Sequence, residues 1–143
     1  AAGIGWGAWR IPDAVDYVDG VELRLVQADI KQHHKWDPKS QLQGMREHAK
    51  LMHAPGIENI THVIWPETAV PYVVKADTPL TQMLGATLPP GATLVTGALR
   101  SESRGDNWQV WNSIMAFDGK GDIVGSYDKH QLVPFGEFLP LRS

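Results

Sequence analysis

From Val21 to Gln27 the chain alternates apolar and polar positions, ending in an apolar pair, which is the period-two signature of a strand. Apolar residues then recur at steps of three and four, at Leu42, Met45, Ala49 and Met52. Asp37 and Pro38 stand just ahead of them as an N-cap and a first-turn proline, so an amphipathic helix is predicted, closed by Pro55-Gly56. Ile60 to Trp65 is an apolar run stopped by Pro66, the pattern of a strand buried on both faces. A second helix starts at Asp77-Thr78-Pro79, carries Leu80, Met83, Leu84 and Leu88 on one side, and ends at Pro89-Pro90-Gly91. Thr93 to Ala98 reads as a third strand. Two more, about Gln109 to Phe117 and Ile123 to Tyr127, flank the glycine-rich turn Asp118-Gly119-Lys120-Gly121 and predict a hairpin.

The predicted order is β-α-β-α-β-β-β. Alternating strands and helices followed by an antiparallel pair imply an α/β layer architecture around a mixed sheet. Residues 1–20 hold Gly3, Gly5, Gly7, Pro12 and Gly20 beside Trp6 and Trp9 and show neither period, so they read as a linker or extended lead-in. After Tyr127 the chain turns irregular, with Pro134, Gly136 and Pro140, the mark of a functional loop or of a boundary.

Composition narrows the picture. With 143 residues the chain can bury one core, and a net charge of −3 argues against a protein that tracks nucleic-acid phosphates. There is no cysteine, which removes disulfides, thiolate zinc sites and any thiol nucleophile within these residues. Apolar runs stay well short of the roughly 20 residues of a membrane-spanning helix. Gly3-Ile4-Gly5-Trp6-Gly7-Ala8 matches a dinucleotide fingerprint but follows no strand, so no cofactor is expected. His48 and His53 are five residues apart and point to different helix faces, which speaks against a metal site. A serine-hydrolase elbow is absent, and Asp118 to Asp122 lacks calcium-loop spacing.

Glu67 lies immediately past a buried strand, in Ile64-Trp65-Pro66-Glu67-Thr68. Carboxyl ends of strands are where open α/β sheets bind ligands, so this acid is better placed for chemistry than one on a helix face. Position alone favours a solvated loop glutamate that caps the following turn. Lys129 follows the last strand, and by itself a lysine reads as a surface charge. Glu137 comes eight residues later between Phe135 and Phe138, where desolvation would raise its pKa unless a cation such as Lys129 were close.

Taken together, Trp65-Pro66-Glu67 and the run Tyr127-Asp128-Lys129 with Leu132-Val133-Pro134-Phe135-Gly136-Glu137-Phe138 and Pro140 resemble the nitrilase or carbon–nitrogen hydrolase superfamily. The longer run resembles its lipoprotein acyltransferase branch in particular. Val26-Gln27-Ala28-Asp29-Ile30 and Lys35-Trp36 are similar to that branch's first strand and following loop. The resemblance spans Val21 to Arg142 and implies part of a four-layer α-β-β-α sandwich with a Glu-Lys-Cys triad. Carried onto this chain it makes Glu67 the general base, Lys129 the charge-stabilising cation and Glu137 a supporting acid. Trp36 becomes a contact for an acyl chain or the membrane surface, and Asn112 a residue facing the site.

The nucleophilic cysteine is then expected beyond Ser143 and transmembrane helices before Ala1. This polypeptide would be an inactive N-terminal portion of the catalytic domain. The implied reaction moves a fatty acyl chain from a phospholipid to the N-terminal diacylglyceryl cysteine of an apolipoprotein, through a thioester. Its setting would be the periplasmic side of the bacterial inner membrane, with Trp6 and Trp9 at the membrane interface. The residues leave two other readings open. One is a soluble amidase or carbamoylase using the same Glu67 and Lys129 with water as acceptor; the other is a non-catalytic binding module.

Overall fold

Proline and glycine punctuation sets the ends of several elements in the computed structural model, which describes residues 2–11, 16–30, 38–105 and 107–133. In chain order these are α1 (Ala2–Arg10), β1 (Leu23–Leu25), α2 (Pro38–Met52), a 3-10 turn (Ile57–Asn59), β2 (His62–Ile64), β3 (Val70–Val74), α3 (Pro79–Ala86), β4 (Thr93–Arg104), β5 (Asn107–Phe117) and β6 (Ile123–Asp128). Thr78 caps α3: its hydroxyl accepts from the Thr81 amide at 3.4 Å, and the Thr81 hydroxyl accepts from the Thr78 amide at 3.1 Å. Pro79 fills the first helical turn, where a missing N–H does no harm.

The six strands form one mixed sheet in the order β1-β2-β4-β5-β6, with β3 also beside β4. Pairing is parallel among β1, β2, β3 and β4, and antiparallel from β4 through β5 to β6. One edge of β4 serves two partners in succession. Its Thr93–Val95 stretch pairs with β2, and its Ala98–Arg100 stretch pairs with β3.

Alternation along β4 and β5 sorts their side chains onto two faces. One face presents Leu94, Thr96, Ala98, Ser113, Met115 and Phe117, all buried, and its apolar members join Met45 and Met52 of α2 and Leu84 of α3 in one core. Burying a side chain such as Leu94 or Phe117 contributes roughly 1.5–3 kcal/mol. α3 crosses the β5–β6 turn so closely that a Cβ on Gly85 would strike the backbone of Gly121. The other face stays open, with Trp108, Val110 and Ile114 of β5 exposed by 66%, 52% and 48%, and Tyr127 of β6 by 67%.

Several expectations need correction. Ala2–Arg10 is a helix and not an extended segment; its glycines hide the period, and Ile4, Trp6 and Trp9 all face outward, so no apolar stripe exists to reveal it. β3 was not expected, because Pro71 interrupts the run; at this position the proline's missing donor is tolerated within a short strand. β4 continues to Arg104, well past Ala98, and β5 begins at Asn107. Met83 and Leu42 are exposed, while His48 joins the buried face of α2. Among the described residues β1 is an edge strand, with Leu23 and Leu25 exposed and Val26 buried behind it. The helix cap expected at Asp37 lies outside the described residues.

Candidate active site

Glu67 owes its position to a break in the β4 edge. The Trp65 amide still bonds the Val95 carbonyl at 2.9 Å, continuing the β2 ladder. Pro66 then removes the next donor, and its carbonyl accepts from Gly97 at 3.3 Å. Thr68 turns into the left-handed region at φ 58°, and the chain rejoins β4 at Val70. Between Trp65 and Val70 the backbone therefore bulges out with Glu67 on it. Gly97 makes the close approach possible, since a Cβ there would stand 2.6 Å from the Thr68 nitrogen and 2.7 Å from the Glu67 Cα.

The side chain of Glu67 meets two donors from two other strands. Asn112 of β5 donates from Nδ2 to Oε1 at 2.6 Å, and Lys129, the residue after β6, approaches the same oxygen with Nζ at 3.1 Å. Asn112 binds both partners, because its carbonyl also accepts the Lys129 amide at 2.8 Å. Among the described residues Oε2 accepts no hydrogen bond. The three residues line a concavity of about 300 Å³ on the open face with Trp65, Gly97, Ile114 and Tyr127. A second, of about 390 Å³, opens on the other side of Glu67 toward His48 and Ile30.

The Glu67 side chain is 59% exposed and that of Lys129 30%. An ion pair this wet contributes ~0–1 kcal/mol, so folding gains little from it. What the arrangement offers is chemical: a carboxylate with a lone pair to spare beside an ammonium and an amide, a base next to donors that can meet developing negative charge. Under Trp65 lies His48, its ring centroid 5.2 Å from the indole. His48 Nδ1 is 2.8 Å from the Gly44 carbonyl, and burial pushes the imidazole below its ordinary pKa.

Of the residues expected at the site, the structure brings together Glu67, Asn112 and Lys129. Trp36 and Glu137 lie outside the described residues. Sequence reasoning missed Gly97, and it missed a second carboxylate–cation pair next door. Asp128 Oδ2 and Oδ1 take Arg100 Nη2 and Nε at 2.6 and 2.8 Å, and Ser113 Oγ donates to Oδ1 at 2.7 Å. Ending β4 at Ala98 left Arg100 out of the sheet, so this pair had no visible geometry. No group of three or more potential metal ligands occurs among the described residues, nor a helix long and apolar enough to cross a membrane.

Comparison with known proteins agrees with this layout. A family model described as carbon-nitrogen hydrolase matches residues 22–143. Apolipoprotein N-acyltransferase of Brucella suis is 37% identical over 153 residues, covering 99% of this chain and 28% of its own length. The apolipoprotein N-acyltransferases of Sinorhizobium fredii and Caulobacter vibrioides are 37% and 36% identical, covering 99% and 95% of the chain. The chain thus spans little more than a quarter of the curated relatives it matches. A crystal structure of an N-terminal amidase with an Asn-Glu-Ala peptide aligns with TM-score 0.51 over 78% of this chain and 28% of its own, at 15% identity, and shares the fold. The mixed sheet and nitrilase-like fold expected from sequence are what the structure and this neighbour display. The chain belongs to the carbon–nitrogen hydrolase family.

Proposed function

We propose that this chain carries two members of the catalytic machinery of an apolipoprotein N-acyltransferase, Glu67 as general base and Lys129 as the cation that stabilises charge. The observation that supports the reading most is the junction on the open face. Residues 62 positions apart meet there at 3.1 Å, bridged by Asn112, in a chain whose relatives bear that name.

In the proposed cycle a cysteine thiol from beyond Ser143 gives its proton to Glu67, for which Oε2 is the available oxygen. The thiolate attacks the ester carbonyl of a phospholipid, and Lys129 donates to the oxyanion. The ester C–O bond breaks, the departing alkoxide takes the proton from Glu67, and a thioester remains. The α-amine of an N-terminal diacylglyceryl cysteine then attacks the thioester, giving a proton to Glu67 while the thiolate leaves and is reprotonated. General-base assistance is worth ~10²–10⁴-fold, and one well-aimed oxyanion donor ~2.7–4 kcal/mol.

On the same reading Glu137 supports the ion pair and Trp36 contacts the acyl chain or the membrane. The partners are a phospholipid donor and an apolipoprotein acceptor at the periplasmic face of the inner membrane, where helices outside this chain hold it. The test is acylation of a diacylglyceryl lipopeptide by membranes carrying the full-length protein. Glu67→Gln and Lys129→Ala are each expected to lower the rate at least ~10²-fold at unchanged protein level. Near-normal acylation by either variant overturns its assignment, and release of free fatty acid without acceptor would identify a hydrolase instead.

A further inference from the structure

Lys129 stands at a weak point of the fold. Among the described residues β6 is the outermost strand, with a neighbour on one side, and its pairing with β5 ends at Ser113 opposite Asp128. Strand ends at a sheet edge open at the least free energy, so a residue just past such an end holds a fixed position only if something else ties it down.

The tie lies on the opposite face. The Asp128 carboxylate receives three hydrogen bonds from two strands: Arg100 Nη2 and Nε of β4 at 2.6 and 2.8 Å, and Ser113 Oγ of β5 at 2.7 Å. A planar fork on a carboxylate fixes orientation as well as distance, which a single ammonium contact does not. The fork is itself backed on its other side, since the Arg100 guanidinium lies 4.1 Å from the centre of the Trp111 ring and reaches Glu102 at 3.4 Å.

Neighbouring residues of a strand point to opposite faces, and this converts an anchor on one side into aim on the other. Asn112 and Ser113 are consecutive, as are Asp128 and Lys129. Ser113 grips Asp128 on the helix-covered face while Asn112 grips Glu67 on the open one, and the Asn112 carbonyl takes the Lys129 amide.

We propose that Arg100, Ser113 and Asp128 form a positioning clamp that fixes the backbone at Lys129 and so holds its ammonium against Glu67. The catalytic consequence rests on the assignment of Lys129 made above, whereas the clamp itself is a property of this chain.

Two measurements separate these. In the full-length protein, hydrogen exchange of the Lys129 amide should quicken at least ~10-fold in Asp128→Asn and in Arg100→Lys, with the Leu94 and Met115 amides unchanged. An unchanged Lys129 rate in Arg100→Lys, which keeps the charge but loses the fork, overturns the clamp. Should Asp128→Asn loosen the core amides as well, Ser113→Ala removes one bond of the three and is expected to quicken Lys129 alone; if it quickens the core equally, the clamp is refuted. In the full-length enzyme, Asp128→Asn should lower kcat ~10–100-fold and leave KM within about two-fold. A raised KM with kcat intact would show a substrate contact and overturn the positioning role. Near-normal activity of Lys129→Ala would remove the catalytic reading while the exchange data still decide the clamp.

Discussion

On the helix-covered face of the sheet, Asp128 is seized by a guanidinium fork and a hydroxyl; on the open face, Glu67 is touched by one ammonium and one amide, both on a single oxygen. Arg100's hydrogen bonds are the chief reason the Asp128 carboxyl sits below its usual range, with Ser113 adding to them against the effect of desolvation. A carboxylate so committed serves as an anchor. Glu67 keeps Oε2 uncommitted among the described residues and faces a concavity, which is the condition a proton acceptor needs. The same two dipeptides, 112–113 and 128–129, supply residues to both arrangements. A pleated strand can thus separate holding from reacting by one residue's shift in sequence.

The contrast between the faces sets out what substitution should do. Phe117→Ala, on the covered face, is expected to destabilise the chain by ~3–5 kcal/mol in urea unfolding, because a fully buried ring leaves a cavity among Met115, Leu94 and Leu84. Gly97→Ala should cost ~1–3 kcal/mol, since the backbone of Glu67 and Thr68 must retreat from the new methyl group, and it should depress acylation in the full-length protein along with stability. Unchanged stability and activity would mean that the bulge at Glu67 is not set by that contact. His48 gives a smaller, pH-dependent effect. Its folded pKa is lowered, so the unfolded chain takes up a proton that the folded chain refuses. Stability should be full above about pH 6.5, fall below it, and level off under the folded pKa; the slope should flatten in His48→Phe, and an equal slope in both proteins would discount burial of this imidazole. Ile114→Ser on the open face should stay within ~0.5 kcal/mol. A loss comparable to that of Phe117→Ala would show that this face is covered in solution.

Much of the scaffold was legible because local chemistry and tertiary structure agree. Pro38, Thr78 and Pro79 mark helix starts that the structure keeps, and Pro66 ends β2 where the apolar run stops. The hairpin around Gly119 and Gly121 follows from turn chemistry alone. What failed depended on partners far away in sequence. Residues 100–104 and 107–109 carry no consistent apolar alternation, and only the antiparallel pairing of β4 with β5 makes them strand. β3 survives its proline because it docks on an edge already prepared by β4. At the site, Glu67 could be singled out by its place after a buried strand and by resemblance, and Lys129 and Asn112 by resemblance. Arg100, Ser113 and Asp128 could not, since their meeting is a diagonal across three strands that no spacing along the chain encodes.

The double docking along β4 has a further consequence for how this segment can vary. Val70 and Val74 are buried, while Val73 beside them is 40% exposed. Losing or gaining one residue between Trp65 and Val70 would turn β3 over, driving Val73 inward and the other two into water. The stretch that carries Glu67 therefore has a fixed count, like a bridge span whose two piers were set before the roadway was laid.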